Sequence, residues 1–92
     1  WTMAREKLDV VTILLNNGSY AILNIELMRV GVQNPGPKAL SMLDLKHPDI
    51  NWAEISTGMG VPAVRVSTAE EFRTALAEAL AAKGPRLIEA LL

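Results

Sequence analysis

One stretch, VVTILLNNGSYAILNIEL (residues 10–27), constrains the fold more than any other part of the chain. Residues 10–15 are apolar or β-branched without interruption, and the run stops at Asn16-Asn17-Gly18. Continuous rather than alternating apolarity suits a strand covered on both faces, as in a parallel sheet. Six residues are too few for a buried helix. From Ser19 to Val30 the apolar positions Tyr20, Leu23, Leu27 and Val30 then follow helical spacing, and Gly31 is a natural stop. A strand that gives way to a helix across two amides and a glycine is a β–turn–α unit, which belongs to layered α/β folds.

The remaining segments agree. Residues 1–8 carry helical spacing (Trp1, Ala4, Leu8) that Asp9 breaks. Residues 32–48 form a long irregular connection containing Asn34-Pro35-Gly36-Pro37 and His47-Pro48, with room for a helical turn over 37–45. Connections this long are uncommon in compact domains and are often functional. Asp49 or Asn51 can cap a helix running to about Thr57. VPAVRVS (61–67) alternates like a strand. Ser67 with Glu70, or Thr68 with Glu71, offers a capping box. The helix that follows has an apolar stripe of Phe72, Ala75, Leu76, Ala79 and Leu80, with Lys83 expected in its last turn and Gly84 beyond. RLIEALL (86–92) reads as a last strand. The alternation predicts an α/β layered fold with a mostly parallel sheet.

Composition narrows the partners. Nine basic and ten acidic residues leave a net charge of −1, and the basic residues are scattered, so no nucleic-acid surface is expected. Zero cysteines exclude disulfides and thiolate metal sites. No apolar run approaches the roughly 20 residues of a membrane span. His47, with Asp44 and Asp49 nearby, lies in a loop without evident fixed geometry and reads as solvent-facing. Ser19 lacks the Gly-x-Ser-x-Gly setting of a hydrolase nucleophile. Met28, Met42 and Met59 read as core or pocket fillers.

Open parallel sheets bind ligands beyond the carboxyl ends of their strands, where Asn16, Asn17 and Gly18 are expected. A helix N-terminus there offers N–H donors and the positive end of its dipole to phosphate. The side-chain oxygen of Asn17 is a hard, neutral ligand suited to Mg²⁺ or Ca²⁺, and the main-chain oxygen of Ser19 can supply a second. Gly18 permits a tight turn. The competing reading is a plain strand-to-helix turn in a small non-catalytic α/β interaction domain.

The core ILLNNGSYAIL resembles the second half of the thiamine diphosphate (ThDP) motif, which opens with Gly-Asp-Gly and closes about thirty residues later with Asn-Asn or a close variant. WTMAREKLDVVTILLNNGSY looks like the helix–strand–turn of that family's cofactor domain. INWAEISTGMGVPAVRVSTAEEFRTALAEALAAKGPRLIEALL resembles its usual carboxyl-terminal end in acetolactate synthase-like and benzoylformate decarboxylase-like enzymes. The resemblance implies that residues 1–92 are the C-terminal portion of the pyrophosphate-binding domain.

By that resemblance Asn17 is a side-chain Mg²⁺ ligand and Ser19 gives its main-chain oxygen to the same ion. Gly18, Ser19, Tyr20 and Ala21 lie beside the cofactor diphosphate, and Ile22 and Leu23 can face the substrate pocket. Pyruvate decarboxylase-type members carry a glutamate where Leu23 stands, so a more apolar pocket is expected here. No residue of the chain is itself expected to be catalytic. The implied chemistry is decarboxylation of a 2-oxoacid, followed by protonation or carbon–carbon bond formation. The Gly-Asp-Gly half, which supplies the metal-binding aspartate, and the pyrimidine-binding domain are absent from residues 1–92. The chain reads as a fragment, expected to be inactive alone and to work with the remainder of the same polypeptide, as a cytoplasmic dimer or tetramer.

Overall fold

The computed structural model describes all residues, 1–92. It divides into two compact units, one formed by Trp1–Asn16 with Asn51–Leu92 and the other by Asn17–Ile50.

The first unit holds α1 (Thr2–Arg5), β1 (Val11–Asn16), α4 (Trp52–Gly58), β2 (Ala63–Val66), α5 (Ala69–Ala81) and β3 (Arg86–Leu91). Its three strands form a parallel sheet in the order β1-β3-β2, so the last strand in sequence is the central one. Leu14 and Arg65 both lie opposite Glu89, and Ile13 and Val64 both lie opposite Ile88. Side chains alternate across a sheet, so Ile88 and Ala90 face one layer and Glu89 the other. On the Ile88 face, Val66, Ala75, Ala79, Ile88 and Ala90 form the core, with Val11, Phe72 and Leu76 packed against it. This is the α5 side. The connections β1→β2 and β2→β3 cross the sheet in opposite directions, so right-handed crossovers put α4 on the other face.

The local signals explain the boundaries. Asn51 caps α4, its side-chain oxygen accepting the Glu54 N–H at 3.1 Å. Of the two capping-box registers open in the sequence, α5 uses Thr68 with Glu71: the Thr68 hydroxyl accepts the Glu71 N–H at 3.2 Å, and Glu71 Oε2 accepts the N–H groups of Ser67 at 2.8 Å and Thr68 at 3.2 Å. Those bonds, Ser67 first and then Thr68, hold the Glu71 carboxyl below the ordinary glutamate range. The helix ends at Ala81, before Lys83, which instead pairs with Asp9 at 3.6 Å. Asp9 also accepts the Gly84 N–H at 2.6 Å, where Gly84 has φ +79°. The Gly84 bond first, and Lys83 second, lower the Asp9 carboxyl.

β1 stands at the end of the β1-β3-β2 order, and among residues 1–92 α5 packs on β2 and β3 and leaves Ile13 and Leu15 43% and 65% exposed. Met28 and Met59 are exposed rather than core fillers, whereas Met42, the C-cap of α3, is exposed but lines an apolar groove with Leu23 and Leu43. The α1 helix is a single turn that ends as Lys7 takes φ +53°.

The second unit holds α2 (Ala21–Arg29) and α3 (Pro37–Ser41), joined by the Gly31–Gly36 turn region. Pro37 starts α3, where a missing N–H costs nothing.

Candidate cofactor-anchoring site

Asn16 closes β1 and Asn17 follows it directly in the chain. Asn17 is exposed, and its Oδ1 accepts the Ser19 N–H at 3.2 Å, an Asx turn that fixes the side chain over its own backbone. An amide oxygen has two lone pairs, so one remains for another partner. Gly18 is buried with φ +62°, a conformation that disfavours a side chain, and a Cβ there would also overlap the Lys46 side chain.

The turn is braced from across the second unit. Ser19 and Asp44 form an isolated antiparallel bridge. The Tyr20 N–H donates to the Leu43 carbonyl and the Leu45 N–H to the Gly18 carbonyl, each at 2.9 Å. The Ser19 carbonyl accepts no main-chain hydrogen bond. Asp44 is itself held: Oδ2 lies 2.7 Å from His47 Nδ1, and Oδ1 accepts the Lys46 N–H at 3.0 Å. These contacts, His47 first and then Lys46, lower the Asp44 carboxyl. His47 is solvent-facing as expected, yet its pairing with Asp44 gives that loop fixed geometry. The chain contains no cluster of three or more His, Cys, Asp or Glu able to hold a metal, so a metal here needs ligands beyond these side chains.

α2 begins at Ala21, two residues later than the apolar spacing predicts, because Ser19 and Tyr20 are engaged with residues 43 and 44. Tyr20 is its N-cap without a side-chain capping bond. With the Tyr20 N–H taken by Leu43, the N–H groups of Ala21 and Ile22 are the first that have no main-chain acceptor. They lie at the positive end of the helix dipole. Leu23 lines an apolar groove of about 350 Å³ with Leu27, Val30, Ala39, Met42 and Leu43. Ile22, 64% exposed, lies outside that groove, so within this unit the two side chains do not share one pocket.

A further group escaped sequence reasoning. Glu89, at the centre of β3, is fully buried. Its Oε1 accepts the Asn16 side-chain N–H at 2.7 Å and lies 3.4 Å from Arg65 Nε, while Oε2 has no hydrogen-bond partner. The available signal was a carboxylate inside the apolar run LIEALL, since a carboxylate is almost never fully buried unless paired.

The comparisons fit this architecture. Residues 1–90 match the family described as "Thiamine pyrophosphate enzyme, C-terminal TPP binding domain". The chain belongs to the thiamine pyrophosphate enzymes. It is 56% identical over 90 residues to IlvX of Mycobacterium tuberculosis, assigned as an acetolactate synthase large subunit, spanning 97% of this chain and 18% of that protein. It is 37% identical over 90 residues to benzoylformate decarboxylase of Pseudomonas aeruginosa, spanning 97% of this chain and 16% of that one. The solved ThDP-dependent 4-hydroxybenzoylformate decarboxylase of Rhodococcus jostii superposes with a TM-score of 0.81 at 38% identity, over 97% of this chain and 16% of that one. The chain thus spans less than a fifth of the length of these thiamine pyrophosphate-family relatives, and its three-stranded parallel sheet is part of their α/β fold. No helix is long and apolar enough to cross a membrane.

Proposed function

We propose that the chain is the metal- and diphosphate-anchoring segment of a ThDP- and Mg²⁺-dependent enzyme acting on 2-oxoacids, by decarboxylation or acetolactate synthase-like carboligation. One observation carries the reading. The braced turn presents an exposed Asn17 amide oxygen and a Ser19 carbonyl free of main-chain donors, directly before the uncapped N–H groups of α2. Two neutral oxygens are hard ligands appropriate to Mg²⁺. They are too few to displace its water shell unaided, which accords with the short span of this chain in its relatives. The remaining ligands come from the rest of the polypeptide and from water.

The cofactor, when bound, supplies the nucleophilic carbon and the electron sink that decarboxylation of a 2-oxoacid requires. This chain's residues bind and orient. Asn17 and the Ser19 carbonyl hold the metal. The Ala21 and Ile22 N–H groups donate to the diphosphate, and Gly18 lets the backbone approach closely. Leu23 gives the substrate side an apolar wall where a glutamate would bring charge. Two relatives, benzoylformate decarboxylase and 4-hydroxybenzoylformate decarboxylase, accord with a 2-oxoacid bearing an aromatic group. The working protein is a cytoplasmic homodimer or homotetramer of the complete polypeptide.

Calorimetric titration of the complete polypeptide with ThDP and Mg²⁺ tests the proposal. Metal-dependent cofactor binding that collapses in Asn17→Ala supports it. A polypeptide that ignores the cofactor, or an Asn17→Ala variant that binds as wild type does, overturns it and leaves the interaction-domain reading.

A further inference from the structure

Three strands meet at Glu89. Asn16 at the end of β1 donates its side-chain N–H to Oε1 at 2.7 Å, and Arg65 on β2 reaches the same oxygen from the other side at 3.4 Å. Parity puts all three on the face opposite Ile88, and Glu89 is wholly buried there. Asn16 is fixed a second time through its backbone, since its carbonyl accepts the Leu92 N–H at 2.9 Å. The residue that immediately precedes Asn17 is therefore pinned by side chain and main chain together, by Glu89 on the central strand and by Leu92 just past its end. A buried carboxyl with one unpartnered oxygen is a poor way to fill a core, where an apolar residue of similar size avoids the desolvation cost. What it accomplishes is to fix the amide of Asn16.

We infer that Glu89 is a positioning residue for the metal-anchoring turn. It acts through Asn16, the residue next to Asn17 in the chain. The inference rests on the metal reading of Asn17 given above and adds to it a residue that touches neither metal nor cofactor. Arg65 is the counter-charge that keeps the buried carboxyl tolerable. Groups that orient a metal ligand typically change metal affinity by about 10- to 100-fold when removed.

The test is Mg²⁺ titration by calorimetry on the complete polypeptide at saturating ThDP, with melting temperature recorded for every variant. Glu89→Ala and Asn16→Ala each weaken Mg²⁺ binding by roughly 10- to 100-fold. The double variant is no weaker than the worse single one, because both changes break one bond. Glu89→Gln keeps the acceptor oxygen and restores most of the affinity, although it loses the Arg65 ion pair and melts earlier. That separation of affinity from stability is what a purely structural carboxyl would not produce. Single variants within twofold of wild type, or losses that add in the double variant, overturn the inference. If Glu89→Ala does not fold, Asn16→Ala decides alone, since it leaves the Glu89–Arg65 pair in place. Asn17→Ala separates the two readings: if it abolishes Mg²⁺ binding while Asn16→Ala and Glu89→Ala do not, only the role of Glu89 fails. A wild-type polypeptide that takes up no Mg²⁺ overturns both.

Discussion

Ser19 and Asp44 face each other in an antiparallel bridge, 25 residues apart in the chain. The bridge is flanked by the bonds Tyr20 N–H to Leu43 and Leu45 N–H to Gly18. The long Pro-rich connection therefore holds the turn in shape through one main-chain acceptor, the Leu43 carbonyl, and one main-chain donor, the Leu45 N–H. Leu45→Pro removes the donor to the Gly18 carbonyl. We expect metal-dependent ThDP binding to weaken at least about tenfold by calorimetry, with little change in far-ultraviolet circular dichroism.

Gly18 is subject to two separate demands, a positive φ and the closeness of the Lys46 side chain. Gly18→Ala should cost about 1–2 kcal/mol for the left-handed backbone alone, plus a steric part. Lys46→Ala removes the obstacle but not the strain. In a double-mutant cycle by chemical denaturation of the complete polypeptide, Lys46→Ala should thus recover only part of the loss. Full recovery would show that φ is immaterial, and no recovery that Lys46 simply moves aside.

Ile88, 1% exposed, stands at the centre of the α5-facing core. Ile88→Ala should destabilise by about 2–5 kcal/mol and Ile88→Val by about 1 kcal/mol, read as shifts in the denaturation midpoint.

The capping box gives a pH prediction with a definite sign. Glu71 is lowered in the folded chain by the N–H groups of Ser67 and Thr68. Its contribution is fully present above the ordinary glutamate range and is lost as pH falls through the depressed folded value. Glu71→Gln should flatten the acid side of the stability-versus-pH curve and leave its neutral-to-alkaline side with the wild-type slope. Thr68→Ala, which removes the reciprocal acceptor, should cost about 1 kcal/mol across the whole range.

Much of this was legible in residue order. The run VVTILL, the helix spacing after it and the Thr68–Glu71 register predict parallel α/β layering, and the turn at Asn17-Gly18-Ser19 falls where the apolar run stops. What residue order could not convey depended on distant partners. The late start of α2 follows from residues 43 and 44 taking up Ser19 and Tyr20. Lys83 lies beyond the end of α5 and pairs with Asp9, 74 residues earlier in the chain. The exposure of Leu15 among these residues follows from the strand order β1-β3-β2, on which periodicity carries no information. Glu89 was read past because one acidic residue in a strand ordinarily points to water; its partners Asn16 and Arg65 come from two other strands.

The order β1-β3-β2 has a consequence for synthesis. Both outer strands leave the ribosome before the middle one exists, and neither can hydrogen-bond to the other across the gap. During that interval VTILLN and AVRV each lack the strand that lies between them, and those unpaired amides are open to capture by a neighbouring nascent chain. Translation therefore supplies the keystone of this sheet last, and a pause just before residue 86 would prolong the period in which β1 and β2 lack their common partner.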